Sequence, residues 1–358
     1  MEFGIMFATH IGNWDVIRYA EELGYDRAWV PDSHMIWSDC YATLALAAVN
    51  TKRIRLGTGI AGAGTRIAPV TAHSIASINR LAPGRVFLGI GSGHTSMRVM
   101  GQSFVSLPEL REYVRVLRAL LAGEEIDYDY RGNTRAIKFL HRDRHFIDLD
   151  HPIPIYLAAN GPKAIELAGE TCDGWISSTA SAHDARGFFE HLRIGAAKRG
   201  RALGAGFHTT FVTAGCVLRP GEKLTSERVI DETGSQVACN LHLNYEMWLF
   251  GGKKDALIPA CFANIWEDYL KRVERFPKDS WYQYLYDGHC TFLQPEERRF
   301  ITPAAIAEYT LTGEPDELIA RLRAMEALGF NEITLLPPDD YGRKVYRDFA
   351  EQVMPALR

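Results

Sequence analysis

Along the chain, stretches whose apolar residues recur at helical spacing alternate with short, continuous apolar runs. The first pattern predicts amphipathic helices and the second predicts buried strands. The unit is clearest near the two ends, in WDVIRYAEELGYDRAWVPDSH and ELIARLRAMEALGFNEITLLPPDD, where Gly24 and Gly329 occupy the left-handed cap position and an aromatic residue leads into the strand. Between them lie RIRLGTG, RVFLGIGSG, PIYLAAN, DGWISS and TTFVTAGCVL, mostly separated by helix-like segments. The predicted strands are Glu2 to Phe7, Arg27 to Val30, Ile54 to Thr58, Arg85 to Ile90, Ile155 to Ala159, Gly174 to Ser178, Thr209 to Val217 and Glu332 to Leu336. Strands that are apolar throughout and alternate with helices form a parallel sheet covered by helices. Eight of them favour a closed (β/α)8 TIM barrel over an open doubly wound sheet.

Two segments exceed the minimal repeat. Residues 124–150 read as a polar excursion with a hairpin around Arg131, Gly132 and Asn133. Residues 222–302 form an aromatic-rich, helical insertion before the last αβ unit, suited to a lid, a dimer face or both. No linker-like stretch separates it, so the expectation is one domain spanning residues 1–358 with an elaborated top.

Composition narrows the class. With 40 basic and 44 acidic residues the formal charge is −4, and 47% of residues are hydrophobic, as in an ordinary globular protein. Neither a nucleic-acid partner nor a membrane partner is expected. The short basic run AAKRGRALG reads as a solvated helix end. Cys40, Cys172, Cys216, Cys239, Cys261 and Cys290 are widely spaced without a C-x-x-C pair, which argues against a zinc site or a disulfide scaffold. No metal is expected, and the N-terminus MEFGIMFATH lacks a signal-peptide pattern, so a cytoplasmic location is expected.

In a barrel the active site lies at the C-terminal strand ends, where this sequence becomes irregular. After strand three, Gly59, Gly62 and Gly64 allow the backbone to approach a flat ligand closely; a plain connecting turn is the alternative. Strand five runs into Asn160, Gly161, Pro162 and Lys163, where free amides beside a cation suit a phosphate, or simply start a helix. Polar candidates at strand ends are His10, Asp32, His34, Arg66 and His94, and their convergence on one mouth favours a site. There is no H-E-x-x-H, Walker loop, G-x-S-x-G elbow or cysteine nucleophile, which leaves cofactor-dependent redox chemistry as the strongest class.

The stretches AEELGYDRAWVPDSH, TKRIRLGTGIAGAGTRIAPVTAHSIASINRLAPGRVFLGIGSG and PIYLAANGPKAIELAGETCDGWISS together resemble the bacterial-luciferase-like flavin or deazaflavin oxidoreductases, in the branch resembling methylenetetrahydromethanopterin reductase. The resemblance covers most of residues 1–180 and returns in EPDELIARLRAMEALGFNEITLLP. It implies a barrel that binds FMN, or alternatively 8-hydroxy-5-deazaflavin, in its mouth. A strand-three bulge around Gly59, Ile60 and Ala61, often with a cis peptide in this family, would back the ring. Ser92, Gly93, His94 and Thr95 would line the cofactor, and Ala159, Asn160, Gly161, Pro162 and Lys163 with Ser177 and Ser178 would hold its phosphate and ribityl chain. His34 stands where the family's functional histidine is expected.

The leading expectation is an FMN-dependent monooxygenase that uses oxygen and reduced flavin from a separate flavin reductase, with His34 or His94 as catalytic histidine and Asp32 and His10 beside them. The alternatives are a deazaflavin-dependent hydride-transfer enzyme and a non-catalytic flavin-binding protein. A small to medium organic substrate and a homodimer or higher homo-oligomer complete the expectation.

Overall fold

The computed structural model describes residues 1–178, 185–204 and 206–358. Its strands are β1 (Glu2–Met6), β2 (Arg27–Val30), β3 (Arg55–Gly62), β4 (Val86–Gly91), β5 (Ile126–Tyr130), β6 (Asn133–Ile137), β7 (Ile155–Ala158), β8 (Gly174–Ser177), β9 (His208–Val217), β10 (Thr310–Gly313) and β11 (Glu332–Leu335). Parallel pairing runs β11-β1-β2-β3-β4-β7-β8, and β9 joins β8 to β11. The sheet therefore closes, and the molecule is a (β/α)8 barrel. The second half of β9 leaves the barrel seam and pairs instead with β10, from Thr310 opposite Ala214 to Gly313 opposite Val217.

One strand is longer than its sequence pattern implies. β3 does not stop at Thr58 but continues to Gly62, because a register shift between Thr58 and Ala61 absorbs the extra residues and restores pairing of Ala61 with Ile90 and Gly62 with Gly91. The Gly59–Ile60 peptide within that bulge is cis. β5 and β6 form an antiparallel hairpin whose turn residues Arg131 and Gly132 both have positive φ, 57° and 79°, as a two-residue hairpin loop requires.

The core is layered. Outside the barrel, one apolar shell packs strand side chains such as Ile5, Val30, Leu56 and Leu88 against the surrounding helices. Inside, Trp29 packs on Phe87 with ring centroids 4.4 Å apart, and Tyr156 packs on Phe87 at 5.4 Å. These large rings fit because glycine faces them: a methyl group at Gly57 would stand 2.2 Å from the Phe87 ring.

A third cluster belongs to the insertion. The helix Glu227–Phe250 lies against helices Trp266–Val273 and Pro303–Tyr309, with Val237, Leu241, Tyr245, Phe262, Trp266, Tyr269 and Phe300 buried between them. The aromatic residues of this region thus build their own core above the barrel. No helix among the described residues is long and apolar enough to cross a membrane.

Candidate active site

At the C-terminal strand ends the barrel and the insertion enclose a cavity of about 530 Å³. Its floor is apolar, formed by Met6 at the end of β1, Ile60 of the bulge, Ile176, Val212 and Leu336. One wall is backbone and small side chains: Gly59, Gly62, Gly91, Ser92 and Gly93. A side chain cannot replace hydrogen at Gly59, since a Cβ there would lie 2.5 Å from Trp29 Cβ. The roof comes from the insertion, through Gln236, Cys239, Asn240, His242, Leu243, Tyr286, His289 and Cys290.

Of the residues singled out in the sequence, Asp32, Gly59, Ile60, Gly62, Ser92, Gly93, His94, Thr95, Ala159, Asn160, Gly161 and Ser178 line this cavity. The others do not. His10 is exposed where β1 turns into the 3-10 helix Ile11–Asn13. His34 sits behind the wall, its Nε2 3.3 Å from the Met100 sulfur, while Ser33 and Trp37 take the cavity positions. Ala61 and Ser177 are buried on the other side of their strands, as period-two alternation demands when Ile60 and Ile176 face inward. Pro162 and Lys163 are exposed on the helix Pro162–Thr171, one step past the cavity edge.

Three polar constellations border the cavity. Asp32 is buried and paired with Arg66 at 2.5 Å, and Arg66 also pairs with Asp39 and lies over the Tyr41 ring. Its carboxylate is therefore committed to holding the loop after β2 onto the loop after β3. His94 Nε2 lies 3.1 Å from Glu246, whose carboxylate also accepts from the Tyr286 hydroxyl at 3.2 Å. Burial and then the Glu246 charge push that hydroxyl well up from its ordinary value, which keeps it a donor.

The third constellation was missed by sequence reasoning. His242 Nε2 lies 2.7 Å from Glu297, which pairs in turn with Arg272 at 3.2 Å; all three side chains are at most 4% exposed. Burial works to raise the Glu297 carboxyl, but His242 and Arg272 prevail and hold it below the usual carboxylate range. With Nε2 held, His242 Nδ1 is buried without a partner beside the cavity. A carboxylate-oriented histidine with one free nitrogen is the arrangement of a proton donor or acceptor. The available signal was the helical spacing of His242 and Glu246; the partner Glu297 is 55 residues away in sequence.

The site suits a flat, elongated, anionic cofactor. The Gly59–Ile60 bulge and the apolar floor could hold a flat ring. The turn Ala159 to Gly161 opens the N-terminus of the helix Pro162–Thr171, whose unpaired amides suit phosphate. Ser178 Oγ lies 3.3 Å from Asn160 Nδ2 at the same edge, and a Cβ at Gly161 would meet nothing within 4 Å.

Comparison with known proteins identifies the family. A family described as luciferase-like monooxygenase matches residues 1–255. A 5,10-methylenetetrahydromethanopterin reductase of Methanolobus tindarius is 37% identical over 206 residues, covering 56% of this chain and 61% of that protein. An F420-dependent glucose-6-phosphate dehydrogenase of Beutenbergia cavernae is 34% identical over 212 residues, covering 53% of this chain and 60% of that protein. The chain thus spans about three fifths of the length of these curated relatives. In overall shape it is similar to the coenzyme F420-dependent tetrahydromethanopterin reductase of Methanopyrus kandleri, with a TM-score of 0.69, 18% identity, and coverage of 100% of this chain and 99% of that one.

Proposed function

We propose that this chain, which belongs to the luciferase-like monooxygenase family, is an oxidoreductase that exchanges a hydride between coenzyme F420, an 8-hydroxy-5-deazaflavin, and a small organic substrate. The observation that carries this reading is the naming of the two curated relatives: at 37% and 34% identity, one is a reductase and the other an F420-dependent dehydrogenase, and neither is named as an oxygenase. Support therefore moves from the FMN monooxygenase expected at first to the deazaflavin alternative.

When bound, the deazaflavin supplies a carbon that takes up or gives a hydride. The chain's own residues do the rest. The bulge at Gly59 and Ile60 and the floor of Met6, Val212 and Leu336 orient a flat ring and exclude water from its face. The Ala159–Gly161 turn and Ser178 hold an anionic tail at the helix terminus. His242 gives or takes the substrate proton at Nδ1, because Glu297 fixes its other nitrogen and orients the ring. His94, held by Glu246 and Tyr286, closes the same roof and offers a second polar contact.

The test is a fluorescence titration of the purified protein with F420 and with FMN, under air and under nitrogen, followed by reduction with candidate alcohols and sugar phosphates. Selective F420 binding and anaerobic F420 reduction are expected. Selective FMN binding with rapid oxygen consumption by the reduced protein would return the assignment to a monooxygenase.

A further inference from the structure

We propose that Cys239, His289 and Cys290 form a binding site for Zn2+ in the roof of the cavity, with one coordination position left open toward the substrate. Cys239 is on the long insertion helix Glu227–Phe250, and His289 and Cys290 follow the short helix Trp281–Leu285. Folding brings their donor atoms together: Cys239 Sγ lies 3.2 Å from Cys290 Sγ and 3.3 Å from His289 Nδ1, and the three donors are all within 4.8 Å of one another. Tetrahedral zinc with two thiolates and one imidazole needs donor separations of about 3.5 to 3.8 Å. The Cys239–Cys290 edge must open by about half an ångström and the Cys239–His289 edge by less.

Three further features separate this cluster from an ordinary buried thiol pair. His289 presents Nδ1 to the sulfur while Nε2 lies 3.3 Å from Thr95 Oγ1, so the imidazole is oriented from outside as metal-bound histidines are. The backbone N–H of Cys290 points at Cys239 Sγ across 3.1 Å, which fixes the position of that sulfur beside the other two donors. Two thiolates around a divalent cation are neutral as a unit, so burying the completed site leaves no net charge unpaired. A second such grouping among the described residues, Glu2, His208 and Glu332, differs because Arg27 already pairs with both carboxylates.

Soft sulfur donors with one imidazole select zinc over magnesium or calcium. All three residues line the cavity, so the ion would face the same space as His94 and His242. Three protein donors leave room for a water or a substrate oxygen, the arrangement of a catalytic rather than a closed structural site. The inference does not depend on which organic cofactor the cavity takes.

Protein treated with a chelator and kept reduced is titrated anaerobically with Co2+ alone, then with Zn2+. The expected result is one Co2+ per chain, with sulfur-to-cobalt charge transfer in the near ultraviolet and tetrahedral bands in the visible, all bleached by Zn2+. Cys239→Ser and Cys290→Ser should each weaken the charge-transfer band, the double variant should lose it, and Cys261→Ser should keep it. Thr95→Val, which removes only the outer partner of His289, should weaken metal binding by roughly 10- to 100-fold. Absence of charge transfer in the unaltered protein overturns the proposal, without reference to how any variant folds. So does a band that persists undiminished in the Cys239→Ser, Cys290→Ser double variant with native circular dichroism.

Discussion

Trp29 Nε1 donates to Glu332 Oε1 across 2.7 Å inside the barrel. The same carboxylate accepts from Arg27 Nε at 2.9 Å, contacts His208 Nε2 at 2.6 Å and accepts from Thr334 Oγ1 at 2.6 Å. Glu332, Arg27 and His208 each open their strand, so the network closes the barrel at the end opposite the cavity. Burial alone would raise the Glu332 carboxyl, but His208, Arg27 and Thr334 overcome it and hold the group below its ordinary value.

Glu332→Gln should therefore lower stability by about 3 kcal/mol, since it leaves the buried Arg27 guanidinium with only the part-exposed Glu2 as countercharge and disrupts the buried hydrogen-bond network around His208 and Trp29. The sign of the pH dependence follows from the lowered value. The contribution of Glu332 is fully present above the unfolded-chain value near 4.5 and is lost as pH falls through the lower folded value. Thermal unfolding of both proteins between neutral and acid pH checks this. The gap between them should be widest at neutral pH and close in acid; a gap that does not change with pH contradicts the assignment.

Gly57→Ala should destabilise the barrel without touching the cavity. The new methyl group would stand 2.2 Å from the Phe87 ring and 2.5 Å from the Phe87 carbonyl oxygen. Overpacking of this kind costs about 1 to 3 kcal/mol. Denaturant unfolding measures the loss, and Phe87→Leu in the same chain should recover part of it by freeing the ring side of the clash.

His242 and His34 should behave differently. His242→Asn should lower kcat by roughly 100-fold or more while coenzyme affinity holds, as loss of a proton donor or acceptor does. Glu297 acts through His242, so Glu297→Gln should give a smaller loss and shift the pH profile of kcat. His34→Ala should reduce kcat by less than His242→Asn, because His34 lies behind the wall against Met100. Steady-state kinetics across pH would refute this order if His34 proved the more sensitive.

Gly161→Asp probes the anionic end of the cofactor. The site has open space around Cβ, and φ of −90° and ψ of 148° suit any residue, so the fold should tolerate the change. A carboxylate placed at the helix terminus should repel phosphate and weaken coenzyme binding by roughly tenfold or more. Fluorescence titration reads the affinity, and an unchanged Tm shows that the effect is local. Equal affinity for both proteins would place the phosphate elsewhere.

Local pattern determined much of this molecule. Helical periodicity, left-handed glycine caps and continuous apolar strands such as RVFLGIG specify αβ units, and eight such units with one buried face each can satisfy it by closing into a barrel. The glycines from Gly59 to Gly64 marked the ligand wall for the same reason, since a missing side chain is visible in the sequence. Side-chain direction was harder to read. Ile60 faces the cavity and Ala61 faces the helices because the bulge resets the alternation of β3, and no composition rule places a bulge to within one residue. Beyond that, tertiary structure alone decided the partners: His242 with Glu297, Cys239 with Cys290, and Trp29 with Glu332 lie 55, 51 and 303 residues apart. Such pairs carry no local signal, because the free energy that brings them together comes from packing the insertion core and closing the barrel, not from the residues between them.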